Sequence, residues 1–202
     1  MWLDWAQKLL AIAQTGLHFT RNPYEVERFE AVKAIAEEMI AQAASVDVGH
    51  VRELFAQESG YVTPKVDVRG AVFRDGQVLL VRERSDGGWT LPGGWADVGD
   101  SPSDAVEREI LEESGYRARA VRLLALYDRR KHDHPPHPFH IYKVFFLCEL
   151  EGGAPVHSDE TDGVGFFSLD DLPPLSTARV TAAQLRRLYE LACHPDWPPD
   201  FD

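Results

Sequence analysis

Cysteine is scarce. Cys148 and Cys193 are the only two in 202 residues, they lie far apart, and each sits inside an apolar pattern. That excludes a disulfide framework, and both read as buried free thiols of a reducing compartment. Long apolar runs are also missing. Nothing approaches the roughly 18–20 uninterrupted residues that cross a bilayer, so no membrane span is expected. The opening MWLDWAQKLL carries an acid where a secretory signal has its basic region. The cytoplasm is therefore the expected compartment. Positive charge is short as well: 21 Lys and Arg face 33 Asp and Glu, for a net −12. Such a surface repels nucleic-acid backbones, so no DNA partner is expected. A small anionic substrate would need a local cation.

What is present falls into two parts. Residues 1–61 read as a helical domain. Trp2, Trp5, Leu9 and Leu10 recur at helical spacing. Asn22 and Pro23 then open an amphipathic run with Phe29, Val32, Ile35, Ala36, Met39 and Ile40 on one stripe. A third helix is predicted over about 48–59, capped by Asp47. Residues 65–202 change period. Two strand-like runs flank Asp75-Gly76, a strong hairpin signal. A Gly/Pro-rich loop over 85–101 leads to a helix over 102–114, with Ser101 as N-cap and Gly115 just past its end. Three more strands and a closing helix follow, and there are no internal repeats.

The helix after the loop holds the chemistry. Glu109, Glu112 and Glu113 stand at i, i+3 and i+4, so their carboxylates share one face. Like charges at that spacing repel, and Arg108 offsets only part of the repulsion. An ordinary solvated acidic face is the bland alternative. The Gly-rich loop directly before the helix favours a site for a hard cation, which takes oxygen ligands from few carboxylates and from substrate phosphates.

The stretch from Gly94 to Tyr116 resembles the Nudix box, G-x5-E-x7-R-E-U-x-E-E-x-G-U with U aliphatic. Gly94, Arg108, Glu109, Ile110, Glu112, Glu113 and Gly115 match; Asp100 replaces the first Glu and Tyr116 the last aliphatic residue. The resemblance implies an α+β Nudix fold, a mixed sheet sandwiched between helices, here preceded by a small all-helical domain. It implies hydrolysis of a nucleoside diphosphate linked to another group X, with Mg²⁺ or Mn²⁺ as cofactor. It also implies Glu109, Glu112, Glu113 and Gly94 at the metal and Arg108 orienting the acids. Glu160, in the loop HSDETDG, is the candidate for a further ligand or base.

The helical domain followed by such a box is similar to a subgroup acting on CDP-choline, ADP-ribose or related compounds. Arg129, Arg130 and His132 form the basic cluster that would meet the substrate, with Trp95 and Tyr127, beside Trp89 and Phe73, as candidates to stack on a base. The spacing of His132, His134, His137 and His140 is unlike common structural zinc patterns. A nucleotide-sensing module and an RNA 5′-end pyrophosphohydrolase are the competing functions. The apolar surplus of the helical domain predicts a homodimer through its helices, with packing on its own chain as the alternative.

Overall fold

The computed structural model describes every residue except Met1, Gln57 and Ser59. It divides into two compact units: Met1–Pro64 with Pro135–His140, and Lys65–His134 with Ile141–Asp202. The division read from the sequence ran unbroken from 65.

The first unit holds α1 (Trp2–Phe19), α2 (Pro23–Ala44) and α3 (Val48–Phe55). The last part of the predicted third helix, at Gln57 and Ser59, lies outside the described residues. Asn22 Oδ1 accepts from Tyr24 N–H at 3.0 Å, and Asp47 Oδ1 accepts from Gly49 N–H at 2.8 Å. These side chains satisfy donors that a helix start leaves orphaned. Ala6, Leu10, Ala36, Ile40, Val51 and Phe55 form the core. The segment 135–140 adds to it: Phe139 meets Phe55 edge-on at 4.8 Å, and Gln7 Nε2 donates to the His137 and Pro138 carbonyls.

The second unit is built on a sheet of β1 (Lys65–Arg74), β2 (Gln77–Glu83), β3 (Trp89–Thr90), β4 (Tyr116–Asp128), β5 (Ile141–Gly153), β6 (Thr161–Ser168) and β7 (Asp200–Phe201). The order is β3-β2-β1-β5-β4-β7, with β6 pairing β2. Arg74 faces Gln77 across a two-residue turn in which Asp75 and Gly76 take φ 53° and 77°. Positive φ at both positions is what a hairpin of matching twist needs. β1 runs parallel to β5, with Asp67 opposite Lys143.

Side chains alternate across this sheet. Ala71, Val78, Leu80 and Phe145 pack towards α5 (Ala182–Cys193) through Leu185 and Leu188. Val68, Val72, Leu79 and Cys148 pack towards α4 (Pro102–Ser114) through Ala105, Val106 and Ile110. The sheet is thus sandwiched between helices, as expected. Tyr116 packs its ring against Phe166 at 5.8 Å. One expectation fails: Cys193 is exposed, because it ends α5 beyond Leu191, the last inward position. The short β3 and β7 carry too few residues for an alternation to appear in the sequence.

Candidate active site

The loop after β3 is stitched onto β1. Val68 N–H donates to Gly94 O at 2.8 Å, Gly70 N–H to Pro92 O at 2.9 Å and Ala96 N–H to Val66 O at 3.0 Å. Gly93 takes φ +142°, and a Cβ there would stand 2.1 Å from Val68 O, so this backbone path requires glycine. Its N–H donates to Glu113 Oε2 at 2.8 Å, which fastens the loop to the last turn of α4. Thr161 Oγ1 donates to Glu113 O at 2.7 Å and brings the start of β6 to the same turn. Glu160 precedes it, with its carbonyl accepting from Arg84 N–H at 2.9 Å. Its neighbour Asp162 is taken by Arg82 at 2.6 Å.

Arg108 stands among four carboxylates. Its guanidinium lies 2.9 Å from Glu112, 3.0 Å from Glu109, and 3.3 Å from both Asp97 and Asp100. Partial burial works against its charge, yet Glu109 and the bonds to Asp100 and Glu112 raise its pKa above the ordinary arginine value. Asp100, one methylene short of the box residue, still reaches Arg108. Burial raises the Glu109 pKa, with Arg108 opposing. Glu113 is only 5% exposed. Burial pushes its pKa up to about 8, against the pull of Arg69 and the Gly93 N–H. This face therefore gathers carboxylates faster than it gathers cations.

A family profile described as the NUDIX domain matches residues 63–189. The chain belongs to the Nudix hydrolase family. A second profile, described as a UDP-X-like N-terminal oligomerisation domain, matches residues 1–55. A Bacillus subtilis protein named "Putative ADP-ribose pyrophosphatase YjhB" is 47% identical over 201 residues, covering 100% of this chain and 97% of that protein. A crystal structure of a UDP-X diphosphatase has 34% identity and a TM-score of 0.66, covering 100% of this chain and 98% of that one. That of an ADP-ribose pyrophosphatase from Streptococcus suis has 45% identity and a TM-score of 0.64, over 69% of this chain and 100% of that one.

Nudix hydrolases generally use divalent metals. Among the described residues, no three or more His, Cys, Asp or Glu are gathered closely enough to hold an ion. The hydrogen bonds give the reason: Arg108 draws Glu112 and lies against Glu109, while Glu113 turns to the Gly93 N–H. The donor chemistry nevertheless fits. The oxygens are hard, they share one helical face, and two of the three carboxyls have pKa values raised by burial that a nearby cation would oppose. Gly94 adjoins them, since a Cβ there would meet Glu109 Oε2 at 3.0 Å.

The side chains of the basic cluster are engaged with partners inside this unit. Arg129, expected at a substrate rim, is buried and donates to Ala178 O. Burial brings its pKa down to about 10. Arg130 forks onto Asp128. The His132 ring packs on Tyr127 at 4.1 Å, and its Nε2 lies 3.4 Å from Asp202 without hydrogen-bond geometry. Tyr127 donates its hydroxyl to Asp200 at 3.0 Å. Trp95, beside Gly94, is 46% exposed.

Sequence reading missed a buried charge ladder under the loop. Asp67 lies between Arg69, at 2.9 Å, and Lys143, and all three side chains are buried. Burial works to raise the Asp67 pKa, but the two cations outweigh it and hold it low. Arg69 also donates to Leu91 O and lies within the electrostatic reach of Glu113 and Glu83. The available signal was charge inside apolar strands, VDVRGAV and IYKVFF.

Proposed function

We propose that this Nudix enzyme hydrolyses the pyrophosphate linkage of a nucleoside diphosphate joined to a second group, releasing a nucleoside monophosphate, with Mg²⁺ or Mn²⁺ as cofactor. The single observation that carries the reading is the arrangement of α4. Arg108 sits among the acids, and Glu113 is buried on the Gly93 N–H. Glu109, Glu112 and Glu113, with Gly94, would hold the ion, and Glu160 is the further acid from outside the helix. A bound divalent cation would neutralise pyrophosphate charge and lower the pKa of water near it. The chain's own residues do the rest. Gly93 fixes Glu113, Arg108 orders Glu109 and Glu112, and Thr161 keeps the Glu160 loop against α4. Trp95, partly exposed beside Gly94, is the candidate to stack on a base. The names of the relatives favour ADP-ribose and UDP-linked compounds as substrates; CDP-choline rests on the resemblance of the sequence alone.

The helical unit is proposed to make a homodimer. Trp2, Trp5, Leu9, Ile12 and Phe19 remain exposed along α1, and the matching profile is described as an oligomerisation domain. Exposed apolar stripes of this kind mark protein interfaces. Light scattering on the full chain should report twice 22.7 kDa. Trp5→Glu with Ile12→Glu should give monomer.

The activity test is a panel of ADP-ribose, UDP-glucose, CDP-choline, NADH and a 5′-triphosphate RNA with each metal, reading monophosphate release. Turnover that persists in EDTA, or release from none of the compounds, would overturn the reading, the latter in favour of a sensor. Release from the RNA alone would move the assignment to RNA ends. In cells the expected compartment is the cytoplasm; among the described residues no helix is long and apolar enough to cross a membrane.

A further inference from the structure

We propose that Glu83 is a further carboxylate of the acid site, beside Glu109, Glu112, Glu113 and Glu160, and that Arg179 is the residue that positions it. The inference rests on the divalent-cation reading above. Glu83 ends β2 and is 5% exposed. Across the sheet it pairs with Thr161, whose hydroxyl donates to the Glu113 carbonyl. The next residue, Arg84, holds the Glu160 carbonyl through its N–H. Glu83 thus stands where the end of the box helix and the loop of Glu160 meet. Its carboxylate acts electrostatically on that of Glu113, and Glu160 acts on Glu83.

Arg179 Nε lies 2.9 Å from Glu83 Oε1. The rest of its fork is engaged: one nitrogen meets Asp86 at 3.2 Å and Ser176 at 3.1 Å, the other Ser85 at 3.1 Å. Asp86 is itself held by Ser176 Oγ at 2.7 Å and by the Gly88 N–H at 2.9 Å. Around this fork two backbones close up. Trp89 N–H donates to Pro174 O, and Ser176 N–H donates back to Trp89 O, each at 2.9 Å. A Cβ on Gly88 would stand 2.6 Å from Ser176 N, so the turn cannot slide past the loop. Arg129 anchors the same loop through Ala178 O. A planar guanidinium with this many fixed partners sets the direction of a carboxylate, which a lysine would not.

An acid–base pair such as this, with Glu83 buried and Arg179 partly exposed, contributes little net stability. Placing this one beside Glu113 adds like-charge repulsion, and a cation at the site removes it.

The test uses the full chain and MnCl₂ alone, titrated by calorimetry and by the spin resonance of free Mn²⁺, beside steady-state kinetics on whichever substrate the panel identifies. Glu83→Gln should weaken Mn²⁺ binding by roughly tenfold, since one nearby charge is lost at an intermediate effective dielectric. Its melting temperature should hold or rise. Arg179→Met should lower kcat more than it raises KM, and Arg179→Lys should restore part of the loss. In the Glu83→Gln background, Arg179→Met should change kcat less than twofold, because its effect runs through Glu83. Wild-type Mn²⁺ affinity in Glu83→Gln, or multiplicative losses in the double variant, would overturn the proposal. Should Arg179→Met not fold, Arg179→Lys and Glu83→Gln carry the same cycle. Glu113→Gln run alongside separates the two failures: if it loses Mn²⁺ while Glu83→Gln does not, only this inference falls. If the wild type binds no Mn²⁺, the site reading falls with it.

Discussion

Two charge systems in the sheet unit are built in opposite proportion. On α4 and the loop before it, one cation, Arg108, serves Asp97, Asp100, Glu109 and Glu112. Beneath the loop, two cations, Arg69 and Lys143, serve the single Asp67. The first system is short of positive charge and partly open to solvent. The second has positive charge to spare and is buried. The contrast separates two tasks. Open acids with too few partners suit the proposed cation, whereas the buried excess tempers the field at Glu113 and ties β1 to β5. Exposed ion pairs add little to stability, while a buried charge that loses its partner is severely penalised.

The comparison breaks most clearly at Glu113. Glu113→Gln keeps the shape and the Gly93 contact but removes the charge. Turnover should fall by about 10²–10⁴-fold, the scale of a lost acid–base or metal-binding carboxylate, with an unchanged or higher midpoint in urea. Asp67→Asn should do the reverse. It leaves two buried cations without an acid, so unfolding free energy should drop by about 3–5 kcal/mol, read by chemical denaturation. Arg108→Met sharpens the contrast from the open side. It should change stability by less than about 1 kcal/mol yet lower kcat, as Glu109 and Glu112 lose their common anchor. Folding losses as large as those of Asp67→Asn would erase the distinction.

The smallest effect concerns pH. His134 donates its Nδ1–H to Thr177 O at 2.7 Å. Burial pushes its pKa down to about 4 from 6.5. Between those values the unfolded chain takes up a proton that the folded chain does not. Its contribution to stability is therefore complete above about 6.5 and is lost as pH falls towards about 4. Melting temperatures from pH 7 to 5 should decline less steeply in His134→Asn than in the wild type.

The box was legible because its residues are neighbours in sequence. Arg108, Glu109, Glu112 and Glu113 share a helical face whatever the rest of the chain does. So were the helix caps at Asn22, Asp47 and Ser101, and the turn at Asp75-Gly76, since each rests on local chemistry. The buried ladder was not legible. Asp67 and Lys143 meet only through the parallel pairing of β1 with β5, which no local pattern states. For the same reason Arg129 looked like an open cation: the carbonyl that holds it, on Ala178, lies 49 positions away. Arg179 and Glu83 meet across a still longer separation. Local spacing reports shared faces, whereas long-range pairing decides which charges are buried.

The chain leaves the catalytic unit after His134 and returns at Ile141, and the segment between lends Phe139 to the helical core. The helical unit is consequently no cassette. A cut at residue 64 would part Phe139 from the Phe55 ring and the His137 and Pro138 carbonyls from Gln7 Nε2. An engineer grafting this N-terminal module onto another Nudix domain would have to transplant the hexapeptide PPHPFH as well, so the heritable unit is two stretches of gene rather than one.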